Sequence, residues 1–124
     1  MKIKLAIIYT LVLTTQFIHA DAFKDSMKIM GKSLKQIQTD LKAGQITTDT
    51  LAAAQTLAKT CQLELTQVPP DYTQDADFVN PLKNVCSMSG QLVTALQSQK
   101  ADEANAIVSK IVQTKNAAHD KYQP

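Results

Sequence analysis

Apolar residues recur in the first half of the chain at alternating spacings of four and three, which place them on one face of a helix. Between residues 23 and 41 these positions are Phe23, Met27, Met30, Leu34, Ile37 and Leu41. Lysines occupy the other faces, a pattern typical of a helix packed in a bundle. Gly44 follows the last apolar position and suits a C-terminal cap, so the pattern predicts a first helix that ends near this glycine.

A second helix is predicted to begin between Thr47 and Asp49, where short polar side chains can accept from free backbone N–H groups. Its predicted apolar stripe comprises Leu51, Ala54, Ala58, Cys61 and Leu65, with Leu57 beside it. Val68-Pro69-Pro70-Asp71 ends this helix because proline donates no helical hydrogen bond. The polar, acidic stretch that continues to Asp77 is predicted to be a loop.

Asn80-Pro81 has the pattern of a cap followed by proline at the first helical position, which predicts the start of the third helix. Its predicted inward positions are Leu82, Val85, Ser89, Leu92 and Leu96. A break near Ser98 to Lys100 precedes Asp102 and Glu103, acids that favour a helix N-terminus. The fourth helix would present inward Ala104, Ile107 or Val108, Ile111, Lys115, Ala118 or His119, and Tyr122. With no long alternating segment, the fold class is predicted to be all-α, an antiparallel up-down-up-down four-helix bundle.

The first twenty residues have the pattern of a secretory signal peptide. Lys2 and Lys4 precede an apolar run from Leu5 to Leu13, and Ala20 is a small residue suited to the last position before cleavage. A retained membrane anchor is the alternative, but the run is short for a bilayer and is interrupted by threonine. We therefore expect a signal peptide at residues 1–20 and a mature domain at 21–124 with no membrane span.

Charge and histidine count limit the partners and sites of the mature domain. All thirteen basic residues are lysine, and two of them leave with the signal peptide, so eleven lysines face eleven acids. This balance gives no electrostatic pattern for nucleic acid or an anionic membrane. His19 also leaves, so His119 is the only histidine of the mature chain, which excludes a His-rich metal site. We expect a monomer with no nucleic-acid partner.

Cys61 and Cys86 are predicted to form a disulfide, because an exported protein with an even number of cysteines usually pairs them. Two reduced thiols are the alternative, and a structural zinc site would need further ligands. The two cysteines are equidistant in sequence from the middle of the predicted loop, so antiparallel helices bring them to the same height. A bridge there would stabilise the fold by roughly 3 kcal/mol in the chain-entropy estimate.

Met27 and His119 carry the candidate chemistry of the chain. The start of the first helix and the end of the fourth lie at the same end of an up-down-up-down bundle, so a thioether and an imidazole can face each other there. Haem iron accepts this pair of neutral ligands. From the pattern alone, core packing for Met27 and a helix-terminal role for His119 are the common alternatives.

Three segments resemble soluble cytochrome b562. Residues 21–37, around Met27, are similar to its first helix, in which an early methionine ligates the haem. Residues 115–122 resemble its closing helix, where the ligand histidine stands in an Asn-x-x-His-x-Lys-Tyr setting, and residues 90–96 resemble the middle of its third helix. The resemblance implies that Met27 and His119 are the axial ligands of one non-covalent haem b per chain. It further implies a periplasmic electron-transfer protein, although the redox partner is unknown.

The sequence differs from that family at several positions of the predicted haem site. Lys115 and Ala118 stand where related c-type cytochromes have haem-attaching cysteines, so any haem is held non-covalently. Lys115 also replaces a common arginine; it can pair with a haem propionate but lacks the bidentate fork. Phe23, Phe78 and Tyr122 are the aromatic candidates to pack near the macrocycle. The cysteine pair is outside the expected family pattern.

Three alternatives stay open at this point. Met30, one turn beyond Met27, offers a second thioether. A haem-free periplasmic binding or interaction module would use the same bundle and would favour a long exposed apolar patch. An enzyme is not expected, because no nucleophile with a base is visible and one histidine cannot serve both as ligand and as general base.

Overall fold

The computed structural model describes residues 2–122 and, within them, the side chains of residues 21–122. It contains four helices, α1 (Lys2–Lys42), α2 (Thr48–Leu65), α3 (Ala76–Gln97) and α4 (Ala101–Tyr122), with a 3-10 turn at Pro70–Tyr72 between α2 and α3. No strand occurs in this part of the chain, and the predicted all-α class is confirmed. The predicted signal peptide, residues 1–20, lies outside the described side chains and stays a prediction. Among the described residues, no helix combines the length and apolar character that crossing a membrane requires.

Each helix packs against two neighbours around the bundle: α1 against α2 and α4, and α3 against α2 and α4. The first pair is antiparallel. Ser26, close to the first residue whose side chain is described, bonds to Gln67 just beyond α2, whereas Asp40 near the end of α1 bonds to Thr50 in the first turn of α2. Short connections join α1 to α2 and α3 to α4. The predicted four-helix bundle is therefore confirmed.

The turn between α1 and α2 is built from a glycine cap and a threonine cap. Gly44 has a φ of 70°, and the N–H of Gln45 donates to the carbonyl of Asp40 at 2.9 Å, which closes the helix end. Thr47 and Thr50 then exchange hydrogen bonds between side chain and backbone at the start of α2. The fully buried hydroxyl of Thr50 also donates to Asp40 at 2.7 Å. Both predicted caps are confirmed.

The turn between α3 and α4 has the same shape without a glycine. Gln99 has a φ of 57°, and the N–H of Lys100 donates to the carbonyl of Ala95 at 2.9 Å. Asp102 and Glu103 lie in the first turn of α4, as predicted. A non-glycine residue in the left-handed region is held there by the closure of the helix end around it.

Buried side chains fill the half of the bundle nearest these two turns, which we call the turn end. Its fully or nearly buried apolar residues are Ile37, Leu41, Ala54, Leu92, Ala95, Leu96, Ala104, Ile107 and Val108. In α2 the predicted stripe is rotated: Leu57 is buried at its centre, whereas Leu51, Ala58 and Leu65 are only half-buried. The reason is that the 3-4-3 spacing of residues 54, 57, 61 and 64 faces the core, so Glu64 is buried as well.

The predicted start of α3 at Asn80-Pro81 is wrong. The helix begins at Ala76, with the Asp75 carboxylate accepting from the N–H of Asp77, and Pro81 lies inside the helix. Contacts of this extra turn with α4 explain the difference, since Asp75 bonds to Tyr122 and Asp77 to Lys121. The predicted loop to Asp77 therefore ends earlier, and it contains the 3-10 turn.

Cys61 of α2 and Cys86 of α3 form the predicted disulfide. Both residues are buried, and their Cα atoms are 5.3 Å apart. The bridge joins the two helices whose connection, residues 66–75, is the longest in the bundle. The disulfide therefore limits the separation of α2 and α3, which this long connection would not limit by itself.

Candidate cofactor site

A cavity of about 580 Å³ opens at the end of the bundle opposite the two tight turns, which we call the cavity end. All four helices and the 3-10 turn contribute to its wall. Leu34, Leu57, Val85 and Ile111 are its buried apolar residues, and they also belong to the core. A volume of this size lies within the roughly 300–1,000 Å³ typical of small-molecule and cofactor sites.

Met27 and His119 both lie on the wall of this cavity, from α1 and α4 respectively, and both are half-buried. The position of Met27 is fixed by its neighbour Ser26, whose buried hydroxyl donates to the Gln67 side chain at 2.7 Å. This bond ties α1 to the segment that follows α2. The structure thus brings the two predicted ligands to one cavity, and Met30 lies on the same wall.

Lysine side chains supply the positive charge around the cavity. Lys115, one turn before His119 on α4, is half-buried and lines the cavity, and its pairing with a haem propionate stays a prediction. Lys24 and Lys28 of α1 line it too and are exposed. Their ammonium groups can pair with carboxylates at the mouth, where solvent screening keeps each pair weak.

Four aromatic rings from four different elements meet at the cavity end: Phe23, Tyr72, Phe78 and Tyr122. Tyr72 stacks on Phe78 with ring centroids 4.5 Å apart, and Tyr122 meets Phe78 edge-on at 5.0 Å. Phe23 lies 5.8 Å from Phe78. The three rings predicted from the sequence all line the cavity, and the structure adds Tyr72.

Two side-chain contacts hold the last turn of α4, which follows His119, against the first turn of α3. The Tyr122 hydroxyl donates to Asp75 at 2.8 Å, and Lys121 donates to Asp77 at 2.6 Å. Partial burial together with the Asp75 carboxylate raises the pKa of Tyr122 to about 12, so this phenol remains a donor at neutral pH. The hydrogen bond from Lys121 lowers the pKa of Asp77, which keeps the exposed pair ionised.

Glu64 is the acidic residue of the cavity wall, and the sequence analysis missed it. Its side chain is 3% exposed, and burial raises its pKa to about 7. Within residues 21–122 it has no ion pair. The sequence did contain a signal, because Glu64 lies seven residues after Leu57 and three after Cys61, on the inward face of α2.

Predicted and observed site residues can now be compared. Met27, His119 and Lys115 all line the cavity, whereas the cysteine pair lies behind its wall between α2 and α3. The polar wall residues that were not predicted from the sequence are Lys24, Lys28, Glu64, Tyr72 and Thr114. No group of three or more His, Cys, Asp or Glu residues that could hold a bare metal ion occurs among the described residues.

This fold and cavity define a helix bundle with a cofactor-sized site at one end of its core. The chain belongs to the cytochrome b562 family, because a model of that family, described as cytochrome b562, matches residues 22–123. Membership of this family suggests a haem-binding electron-transfer protein, and such proteins are electron carriers rather than enzymes in general. Comparisons with curated proteins and with solved structures gave no significant match.

The residues present fit a haem group. The wall offers a thioether on α1 and an imidazole on the neighbouring helix α4, both neutral ligands that haem iron binds, in an otherwise mainly apolar cavity. Lysines at the same cavity suit carboxylate substituents, and aromatic rings suit a flat apolar macrocycle. Donor set, volume and lining agree with the chemistry that the family suggests.

Proposed function

We propose that this protein binds one haem b non-covalently, with Met27 and His119 as the axial ligands of its iron, and transfers single electrons in the periplasm. The observation that carries the proposal is the presence of both side chains on the wall of one apolar cavity. When bound, haem supplies a one-electron couple between ferric and ferrous iron.

The protein's own contribution is to hold two neutral ligands at a fixed place. Ser26 and Gln67 fix α1 beside Met27, and the Tyr122–Asp75 contact fixes α4 three residues beyond His119. With Met27 and His119 both holding the iron, the protein would leave no iron position for a substrate. This supports an electron carrier and not an enzyme, and methionine ligation favours a comparatively high potential.

Lys115 is assigned to a haem propionate. Its half-buried position on the cavity wall, one turn from His119, supports this role. Its ammonium group acts as a single point charge, because the chain has no arginine that could form a bidentate pair. Apolar wall residues exclude water from the rest of the cavity and supply the affinity that a covalent attachment would otherwise provide.

The predicted signal peptide supports the periplasmic part of the proposal. Residues 1–20 have the composition of a cleavable signal peptide, and the family match begins at residue 22, just after the proposed cleavage at Ala20. The redox partner is a periplasmic electron donor or acceptor of unknown identity, and the protein acts as a monomer. Mass measurement of the exported protein tests the cleavage position directly.

No observation on the described residues favours the alternative function, a haem-free interaction module. It was expected to present a long exposed apolar patch, whereas the exposed large hydrophobic residues among those described are Ile29, Leu63 and Tyr72, one on each of three elements. Single exposed apolar side chains are normal on protein surfaces.

The test is an optical spectrum of the exported protein, oxidised and then reduced with dithionite. We expect a sharp low-spin reduced spectrum, with haem that extracts into acidified organic solvent because it is not covalently attached. Met27→Ala should convert the spectrum to high spin, since one axial ligand is lost. His119→Ala should do the same or lose the haem.

Two methionine variants serve as matched controls. Met30→Ala removes the second thioether of the cavity wall, and Met88→Ala removes a half-buried methionine of α3 outside it. Both should keep the low-spin spectrum. A folded, helical protein that stays colourless on haem titration would overturn the proposal, and a high-spin spectrum in Met30→Ala but not in Met27→Ala would move the ligand to Met30.

A further inference from the structure

Glu64 is a buried carboxyl group on the wall of the cavity that we assign to haem. It belongs to α2, the helix that carries neither proposed iron ligand, and its side chain is 3% exposed. A carboxyl group at such a place is costly to ionise, since burial removes most of the water that stabilises its charge. Apolar packing alone would be better served by leucine or methionine, so the residue needs another explanation.

The other polar groups on the wall come from three elements. Lys24 and Lys28 line the cavity from α1 and Tyr72 from the 3-10 turn. The polar wall residues of α4 are Thr114, Lys115, His119 and Tyr122. The wall residues of α3 are apolar. Both ion pairs of the described chain lie elsewhere, at Lys100–Glu103 and Lys121–Asp77, so the lysines of the wall do not neutralise Glu64 directly.

We propose that Glu64 is a redox-linked proton-binding residue of the haem site: its carboxylate takes up one proton from solvent when the site gains an electron and releases it on oxidation. This inference rests on the proposed haem function. The balance is one electron and one proton: an external one-electron donor would reduce ferric to ferrous iron, and a hydronium ion or buffer acid would lose its bond to the proton as one O–H bond forms on Glu64.

The direction of the coupling follows from charge alone. Ferric iron carries one more positive charge than ferrous iron, and a positive charge in the same cavity favours the ionised carboxylate. Loss of that charge on reduction favours the protonated form. At the distances that a cavity of this size allows, the proton affinity of Glu64 should rise by about tenfold on reduction.

Burial brings the titration of the Glu64 carboxyl into the physiological pH range. Burial raises the pKa of Glu64 to about 7, so shifts to either side of this value fall within ordinary physiological pH. The Tyr122 hydroxyl, with its pKa raised to about 12, stays protonated throughout. The midpoint potential should therefore fall as pH rises across the interval between the two proton affinities of Glu64.

The experiment measures the midpoint potential of the haem-loaded protein from about pH 5 to about pH 9, in wild type and in Glu64→Gln. A tenfold change in proton affinity corresponds to about 59 mV for a one-electron couple, so the wild-type potential should drop by about that amount over the range. Glu64→Gln should lose this component. Titrations of other groups affect both proteins and cancel in the difference between them.

A second readout follows the carboxyl group itself. The infrared difference spectrum between the reduced and oxidised proteins should contain a protonated-carboxyl C=O band on the reduced side in the wild type and lack it in Glu64→Gln. Glu103→Gln is the matched control, because Glu103 is an exposed glutamate at the turn end. It should keep both the potential profile and the infrared band.

The outcomes separate this inference from the haem assignment. A normal low-spin spectrum with identical potential profiles in wild type and Glu64→Gln would overturn the role of Glu64 and leave the haem function intact. A wild type that binds no haem would overturn both. If Glu64→Gln fails to fold, Glu64→Leu replaces the carboxyl group by an apolar side chain and must give the same loss of pH dependence.

Discussion

The two ends of this bundle are made from the same four helices but differ in what lies between them. At the turn end, residues such as Ile37, Leu92 and Leu96 leave 1% or less of their surface exposed, and short capped turns join the helices. At the cavity end, the same helices enclose about 580 Å³, and half-buried side chains such as Met27 and His119 form part of the lining. The turn end is a packed core, whereas the cavity end encloses a cavity.

The difference lies in connection length and in the side chains that each helix presents. Leucine, isoleucine and alanine at the turn end interdigitate and leave no space. At the cavity end, the connection at residues 66–75 is longer, and methionine, lysine, glutamate and histidine stand at positions where aliphatic residues would close the core. The polar residues at inward-facing helix positions therefore mark the site. The packed turn end supplies the stability that the cavity end lacks.

The largest expected effect is a difference between the two ends in the free energy of unfolding that is lost when a side chain is truncated to alanine. Leu96→Ala should destabilise the haem-free protein by about 3–5 kcal/mol, because it leaves a void in a packed core. Met27→Ala should cost about 1 kcal/mol, since its side chain already borders a cavity and loses fewer contacts. Urea unfolding followed by circular dichroism measures both. Similar losses for the two variants would contradict the distinction between the ends.

A smaller effect concerns the pH dependence of stability and arises at Glu64. Burial raises its pKa from 4.5 to about 7, so the folded state binds this proton more tightly than the unfolded state. The resulting stabilisation is fully present below about pH 4.5 and is lost as pH rises through about 7. The shift corresponds to about 2–3 kcal/mol once partial solvent access through the cavity is allowed for.

Urea unfolding of haem-free wild type and Glu64→Gln at a series of pH values tests this linkage. The stability difference between the two proteins should change in favour of Glu64→Gln as pH rises across that interval. Glu103→Gln, an exposed glutamate of the turn end, should follow the wild-type profile. Parallel profiles for wild type and Glu64→Gln would show that the Glu64 carboxyl is not buried as described.

The smallest expected effect compares the two tight turns of the turn end. Gly44 and Gln99 occupy the same left-handed position after their helices, with φ values of 70° and 57°. Gly44→Ala should therefore destabilise the protein by about 1 kcal/mol, and Gln99→Gly should stabilise it by up to about 1 kcal/mol. Thermal unfolding detects both, and a destabilised Gln99→Gly would mean that the Gln99 side chain makes a compensating contact.

Much of the fold could be predicted from spacing and caps. The inward positions of α1 and α3, the glycine cap at Gly44 and the threonine cap at Thr47 are local features, and each agrees with the structure. The cysteine spacing also predicted the disulfide, because antiparallel neighbours bring equidistant residues to equal height. Such features need only the periodicity of one helix or the symmetry of a hairpin.

The errors arose where a tertiary contact outweighs a local signal. Pro81 normally marks a helix start, yet α3 begins five residues earlier because its first turn packs and bonds against the end of α4. In α2 the sequence favoured a stripe through Leu51 and Ala58, whereas packing against α1 and α3 selected the face that includes Leu57 and Glu64. The start of α3 is not encoded within its own segment, and the segment of α2 contains both stripes, between which packing decides.

By itself, the sequence determined four amphipathic helices, their order and the caps at Gly44 and Thr47, because these depend on residues a few positions apart. It also identified Met27, Lys115 and His119 as candidates, which the structure places on one cavity wall. Only the tertiary structure decided that the cavity end stays open, that four aromatic rings meet there, and that Glu64 is buried in its wall. These features depend on how four helices divide one interior, and burial, which changes the chemistry of Glu64, exists only once they have packed.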